Sequence, residues 1–248
     1  MVPLSFSGVS WGDARASSES TIHRQILMHP GVNCVIHAHT ISTTAISFDT
    51  REKQICLIYQ GKDEKSREEF KLVPVDLYGA NVIKSVNVAS YLAPVGSAEM
   101  EERIPKYLQK DRMTIVRGHG PFARGHCIER VLQDLSILEN SATILLYLRR
   151  RGIDIRQVQK TVLSEGPKSV FPVSLTRPAD DANNTKQVSD PSIISDFNQR
   201  LNYNYNFRIS AYGTGSMSQK ISADQFVYCP LSSVPHGFDF PFSREHIR

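Results

Sequence analysis

An apolar repeat between Ile128 and Leu148 constrains the fold of this chain more than any other feature of its sequence. Apolar residues recur there at intervals of three and four residues for about six turns. This spacing predicts a long amphipathic helix whose aliphatic side belongs to the protein core. The apolar positions are Ile128, Val131, Leu132, Leu135, Leu138, Ala142, Leu145 and Leu148.

The composition is that of an ordinary globular protein. The chain has 248 residues, 40% of them hydrophobic and 22% charged, which suffices for one large domain or two small ones with a buried core. No apolar run approaches the roughly 18 to 20 residues of a membrane-spanning helix, and the stretch MVPLSFSGVSW lacks the basic start and apolar centre of a signal peptide. We therefore expect a cytoplasmic protein without a membrane partner.

Charge and cysteine content argue against a nucleic-acid-binding protein and against a fold held by disulfides or by a cysteine zinc site. The formal net charge of +4 is spread along the chain, and the local cluster at residues 149–151 ends the long helix, where cations suit the helix dipole. We therefore expect no nucleic-acid partner. The four cysteines lie far apart without C-x-x-C spacing, so we expect reduced thiols and neither a zinc cage of cysteines nor a disulfide framework.

Two histidines, His37 and His39, follow an apolar run in the stretch VNCVIHAHT. Alternation along a β-strand places both on one face and Ala38 on the other. Two imidazoles on one face can bind one ion. The alternative interpretation is that each is an ordinary hydrogen-bonded histidine near the core.

Two other motifs lie next to predicted helices. SSE, at Ser17–Glu19, precedes a short predicted helix with Ile22 and Ile26 on its apolar side. GHG, at 118–120, follows the predicted buried strand TIVR and leads into the long helix. TISTTAISF, at 40–48, predicts a helix of small residues behind the histidines.

A fourth helix is predicted in GSAEMEERIPKYLQK, where Ser97 precedes acidic residues that suit a first helical turn. Pro105 lies inside it, so we expect this helix to be kinked or shortened. Residues 49–71 combine the apolar patch ICLIY with a run of charges, which predicts an exposed excursion.

The order SSE, then H-x-H, then H-G before a long helix resembles the class II aldolase and adducin family. The resemblance implies a three-layer α/β/α sandwich around a mainly antiparallel sheet. It also implies that His37, His39 and His119 bind one divalent ion, most often zinc, with manganese, iron or cobalt as alternatives. Neutral imidazoles bind such metals without cancelling their charge, so the ion remains a strong Lewis acid.

By the same resemblance, we expect a lyase that cleaves or forms a small, phosphorylated sugar by aldol chemistry through a metal-stabilised enediolate. Glu19 would move the proton next to the reacting oxygen. Ser17 and Ser18, beside a helix start, would hold the phosphate. Family members often form tetramers, and their distal acid is frequently a tyrosine. The tyrosine candidates are Tyr78, Tyr91 and Tyr212.

Two alternative functions remain open at this point. The same three histidines in this family also support epimerisation and dehydration of sugar phosphates. An adducin-like interaction module would keep the fold without the chemistry. The three histidines favour an enzyme, because a non-enzyme has no physical need for them. The phosphate loop departs from the family's G-N-I-S pattern, and this favours the module.

That loop lies in an unusual place. In the family, a helix, a G-N-I-S phosphate loop and a T-P-S-G turn come before SSE, but only sixteen residues precede Ser17. Similar segments occur near Arg248, where Thr214, Gly215 and Ser216 lie in a loop whose N–H groups and hydroxyls can bind phosphate. We infer a circular permutation, or one permuted unit of a tandem array. The alternative is that this segment begins a second, truncated domain.

The permuted order predicts three parts. Residues 1–164 form the metal-binding core, and residues 165–195, rich in Pro, Asn, Asp and Ser, form a linker or loop. Residues 196–248 form the phosphate-loop module that completes the same domain.

Overall fold

The structure is a computed structural model. It describes residues 16–49, 58–59, 69–91, 93 and 95–165, the positions 191–192, 195–196 and 199, and the strands 217–220 and 226–229. The chain divides into two compact units, Met1–Gly166 and Pro167–Arg248. Each unit is described by itself.

The described part of the first unit contains six helices and six strands. The helices are α1 (Ser20–Leu27), α2 (Ile41–Ser47), α3 (Leu77–Val82), α4 (Ala98–Lys110), α5 (Ile128–Arg150) and α6 (Ile155–Glu165). The strands are β1 (Cys34–His37), β2 (Ile58–Tyr59), β3 (Glu69–Leu72), β4 (Val86–Ala89), β5 (Met113–Val116) and β6 (Gly120–Gly125).

The six strands form one sheet in the order β1-β6-β5-β4-β3-β2. Neighbouring strands in this sheet pair antiparallel except β4 and β5, which pair parallel. The parallel pair needs a crossover, and α4 supplies it between the two strands. The sheet is therefore mainly antiparallel, as predicted.

Helices cover both faces of the sheet. Phe122 of β6 belongs to a buried cluster with residues of α1 and α4, which pack on each other. Gly125, three residues further along β6 and so on the opposite face, points its missing side chain at Val131 of α5. Helix α5 packs on α2 and α3. The predicted three-layer α/β/α architecture is confirmed.

The long helix predicted from the apolar repeat is α5, and it forms the core of the second helical layer. Leu138 and Leu145 are fully buried, whereas Ile128, in its first turn, is 47% exposed. Arg149, expected only to suit the helix dipole, also forms an ion pair with Asp49 beyond the end of α2. That contact joins the last turn of α5 to the segment after α2.

Of the two outcomes expected from Pro105 in α4, a shortened helix was wrong, and a kink stays a prediction. Ser97 caps the helix as expected, since its hydroxyl accepts the N–H of Met100 at 3.3 Å. However, α4 continues past Pro105 to Lys110. Proline removes one helical hydrogen bond, but Ile104 and Leu108 on either side of it are fully buried, and this burial holds the helix together.

The second unit is described only in part. Positions 191–192, 195–196 and 199, within the stretch PSIISDFNQRLN, are helical. The strands β7 (Met217–Lys220) and β8 (Phe226–Cys229) pair antiparallel, with Met217 opposite Cys229. The predicted linker lies mostly outside the described residues, and the circular permutation stays a prediction, as does the division into three parts.

Two expectations from composition can be compared with the described residues. No helix among them is long and apolar enough to cross a membrane. Cys34 and Cys127 are free thiols, as expected from the cysteine spacing.

The packing of α5 predicts which of its apolar residues stabilise the fold. We expect Leu138→Ala to lower the free energy of unfolding by about 2–5 kcal/mol, because it leaves a cavity in the core. The exposed Ile128→Ala on the same helix should change it by about 0.5 kcal/mol. Urea denaturation followed by circular dichroism measures both. Equal losses in the two variants would contradict the assigned core face.

Candidate metal centre

The pairing of β1 with β6 brings two of the sequence motifs together. His37, at the end of β1, lies opposite Phe122 of β6, and the N–H of Ala38 donates to the carbonyl of Pro121 at 3.2 Å. His119 directly precedes β6. The H-x-H and H-G motifs, about 80 residues apart in sequence, therefore meet at one end of the sheet.

Glycines on both sides of His119 make this approach possible. Gly118 adopts a φ of +73°, a left-handed conformation that glycine accepts readily and other residues do not. At Gly120, a Cβ atom would lie 2.1 Å from the carbonyl oxygen of Ala38. The GHG motif therefore supplies both the tight turn and the close contact between the two strands.

The imidazoles of His37, His39 and His119 converge on one point. Their Nε2 atoms lie 3.0 Å apart for His37 and His39, 3.1 Å for His37 and His119, and 2.8 Å for His39 and His119. Ligand nitrogens of a tetrahedral zinc site, with bonds of about 2.0–2.1 Å, lie about 3.3 Å apart. The three side chains thus form a group of the right size to hold a metal ion.

His37 is held in the tautomer that a metal ligand needs. Its Nδ1 lies 3.0 Å from the carbonyl oxygen of Pro121, and since a carbonyl only accepts, Nδ1 carries the proton. Nε2 then points a lone pair at the other two imidazoles. The ring also stacks on Phe122, with centroids 4.0 Å apart.

Burial keeps His37 neutral. It is the main cause that lowers the pKa of His37 to about 4, and the nearby imidazoles of His119 and His39 act in the same direction. A neutral imidazole is the form that binds a metal. His23, whose ring lies edge-on against Phe122, likewise has a pKa lowered by burial.

Glu19 faces the same point from the start of α1. Its Oε2 lies 3.3 Å from Nε2 of His37 and its Oε1 lies 3.6 Å from Nε2 of His119. The residue is only 7% exposed, and among the described residues its Oε1 is buried without a hydrogen-bond partner. A carboxylate buried beside the Nε2 lone pair of His37 is stabilised by a positive charge placed between them. This donor set therefore fits a divalent cation.

One detail of the H-x-H prediction was wrong. The strand β1 ends at His37, so His39 does not share a strand face with it. The ladder ends there because β6 begins at Gly120 and the chain enters α2 at Ile41. His37 and His119 have side chains that are 9% and 8% exposed, whereas His39 is exposed. The group therefore opens to solvent on the side of His39.

Ser17 and Ser18 lie where the sequence placed them, at the turn before α1. The hydroxyl of Ser17 accepts the N–H of Glu19 at 3.3 Å, and Ser18 packs against Gly96. Both serines are exposed. Their role in holding a phosphate stays a prediction. The other predicted phosphate residues, Thr214, Gly215 and Ser216, lie outside the described residues.

The candidate distal acids are not distinguished by the structure. Tyr212 lies outside the described residues. Burial raises the pKa of Tyr78 and of Tyr91, and the guanidinium of Arg103 lies over the Tyr91 ring at 4.8 Å. The assignment of a distal acid stays a prediction.

Sequence reasoning missed two residues of α2 that contact the GHG turn. The hydroxyl of Ser47 accepts the N–H of Gly118 at 2.9 Å, and the hydroxyl of Thr44 donates to the carbonyl of His119 at 3.1 Å. The many hydroxyl side chains in ISTTAIS were the only available signal. No local spacing rule connects them to a turn about 70 residues away.

A family model, the class II aldolase and adducin N-terminal domain, matches residues 1–146. The chain belongs to this family. The matched region contains the SSE, H-x-H and GHG motifs together with α1 to α4 and most of α5. The resemblance read from the three motifs is confirmed.

Individual relatives show how far the similarity extends. A methylthioribulose-1-phosphate dehydratase from Bradyrhizobium sp. (strain BTAi1) is 27% identical over 148 residues, which cover 56% of this chain and 64% of that protein. The match thus spans less than two thirds of the dehydratase.

Two solved structures are also similar. L-fuculose-1-phosphate aldolase from Thermus thermophilus is 26% identical, with a TM-score of 0.49 over 60% of this chain and 69% of that one. An aldolase II superfamily protein from Pseudomonas syringae is 18% identical, with a TM-score of 0.48 over 83% of this chain and 71% of that one.

The close contact at Gly120 predicts that a side chain at this position would push the H-x-H and GHG motifs apart. We expect Gly120→Ala to lower the free energy of unfolding by about 3 kcal/mol or more, because backbone atoms of Ala38 cannot yield to the new methyl group. Gly31→Ala is the control, since nothing lies within 4 Å of its Cβ position. Its φ of +75° should cost about 1–2 kcal/mol. Urea denaturation compares them, and a smaller loss at Gly120 would contradict the close approach.

Proposed function

We propose that this protein is a divalent-metal-dependent lyase that acts on a small phosphorylated sugar. The observation that carries the proposal is the convergence of three imidazole nitrogens within 3.1 Å of one another, with a buried carboxylate on the same point. An interaction module has no physical need for this arrangement, because burying a carboxylate costs free energy.

In this proposal His37, His39 and His119 hold the ion, and zinc is the first choice because three imidazoles with one open position are typical of its catalytic sites. Manganese, iron and cobalt are the alternatives. When bound, the ion would supply a Lewis acid for an oxygen of the substrate. Access from the side of His39, the exposed member of the group, leaves room for that substrate.

Glu19 is the proposed proton carrier. Its carboxylate lies against two of the three imidazoles and is nearly buried, so it can hold a proton at a substrate carbon or oxygen placed at the same point. The backbone of the SSE turn fixes it there, because the N–H of His23 donates to the Glu19 carbonyl at 3.1 Å as α1 begins.

The class of substrate is inferred from family membership and from the dehydratase. That relative is named for methylthioribulose-1-phosphate, a phosphorylated sugar derivative. Ser17 and Ser18 are the proposed phosphate contacts of the first unit, and Thr214, Gly215 and Ser216 those of the second. The first reaction we propose is aldol cleavage or condensation.

Dehydration is the second candidate reaction, and the same relative favours it. Epimerisation of a sugar phosphate needs the same metal and proton carrier and stays an alternative, as does an adducin-like module without catalysis. We further propose a homo-oligomer, a tetramer by family resemblance, located in the cytoplasm without nucleic-acid or membrane partners.

The metal content of the purified chain tests the first part of the proposal. We expect about one zinc, manganese, iron or cobalt ion per chain by elemental mass spectrometry, and loss of that ion when His37 and His39 are both changed to alanine. His126→Ala is a control, because His126 is exposed and lies outside the group. Absence of metal after reconstitution would leave only the interaction module.

Substitution of Glu19 tests the proton carrier separately. We expect Glu19→Gln to reduce turnover of phosphorylated ketoses by about 10²-fold or more, because the amide cannot carry the proton. Metal content should stay at the wild-type level, since the three imidazoles remain. Glu101→Gln, on α4, is a control for loss of a carboxylate. Unchanged turnover would remove Glu19 from the mechanism.

A further inference from the structure

Helix α2 follows His39 in the chain, and its last residues contact the turn that carries His119. It begins at Ile41, two residues after His39. Near its end, Ser47 accepts the N–H of Gly118 at 2.9 Å and Thr44 donates to the carbonyl of His119 at 3.1 Å. Any rotation or shift of α2 therefore moves His39 and the His119 turn together.

His37 is fixed by different contacts. It belongs to β1, which pairs with β6, and its Nδ1–H donates to the carbonyl of Pro121. The placement of His39 and His119 relative to His37 therefore depends on how α2 is anchored to the rest of the unit.

Glu139 of α5 provides that anchor. Its carboxylate accepts the N–H of Ser42 at 2.7 Å, the N–H of Thr43 at 2.8 Å and the hydroxyl of Thr43 at 2.7 Å. The residue at the N-cap of α2, Thr40, makes no capping hydrogen bond with its side chain. A negative charge at this end of a helix is favourable, and hydrogen bonds to a carboxylate are stronger than neutral ones.

The rest of α5 makes this anchor rigid. Leu138, next to Glu139, is fully buried in the core. One turn later, the hydroxyl of Thr143 lies 2.7 Å from that of Ser42, a second contact between the two helices. Glu139 thus connects α2 to a helix whose apolar face is buried in the core.

We propose that Glu139 is a positioning residue that acts through α2 to place His39 and His119 for metal binding. The inference rests on the proposed metal site and adds to it a residue that touches none of the ligands. Partners outside the ligand shell typically change metal affinity by about 10- to 100-fold when they are replaced. Glu139 therefore contributes to metal affinity as well as to stability.

The experiment uses the full chain stripped of metal and titrated with Co²⁺, whose visible absorption reports the geometry of its ligands. Dissociation constants come from competition with a chelator, and the melting temperature of the metal-free protein is recorded for each variant. The variants are Glu139→Gln, Thr43→Val and Ser47→Ala, with Glu102→Gln as a control. Glu102 is an exposed carboxylate of α4 that pairs only with Lys106 among the described residues.

We expect Glu139→Gln to weaken Co²⁺ binding by about 10-fold or more and to change the visible spectrum. Thr43→Val removes one of the three hydrogen bonds to Glu139 and should have a smaller effect. Ser47→Ala removes the contact at the other end of α2 and should weaken binding without touching Glu139. If Glu139→Gln does not fold, Thr43→Val decides, and Glu102→Gln should match the wild type.

Two results would overturn the inference in distinguishable ways. Variants that melt at lower temperatures but keep the wild-type affinity and spectrum would show that Glu139 only stabilises the fold, and the metal site would stand. A wild-type chain that binds no Co²⁺ would overturn the metal site itself, and the role of Glu139 with it.

Discussion

The antiparallel pairing of β1 with β6 is the interaction on which the candidate metal centre depends. It places His37 opposite Phe122 and brings the turn that carries His119 beside it. The pairing requires glycine at position 120, where a side chain would meet the carbonyl of Ala38. Helix α5 packs on both strands and, through Glu139, also holds α2. One pair of strands and one helix therefore determine where all three imidazoles lie.

This pairing also brings a carboxylate and an imidazole lone pair close together, which is electrostatically unfavourable. Glu19 is nearly buried against His37 and His119, and the hydrogen bond of His37 to Pro121 leaves a lone pair facing that carboxylate. Protonation of His37 would relieve the repulsion, but burial lowers its pKa to about 4. Folded proteins tolerate such local conflicts mainly at functional sites. A cation held between the two groups would remove this repulsion, so the same contacts favour the proposed metal ion.

The sequence predicted the elements that follow a local rule. The repeat along α5 and the cap at Ser97 depend on residues within one or two turns, and both are present. The end of β1 at His37 and the continuation of α4 past Pro105 depend on partner strands and on burial, which periodicity does not reveal. Glu139 was missed for the same reason, because it reads as one polar position on a long helix and its hydrogen bonds reach residues nearly 100 positions away.

The proposed metal ligands lie in one unit of the chain, whereas the proposed phosphate contacts are divided between two. All four residues of the candidate metal centre belong to the first unit and to the region that matches the family model. Thr214, Gly215 and Ser216 belong to the second unit and directly precede β7 in sequence. The proposed metal binding therefore does not depend on whether the chain is permuted. The predicted permutation bears on the proposed phosphate contacts of Thr214, Gly215 and Ser216.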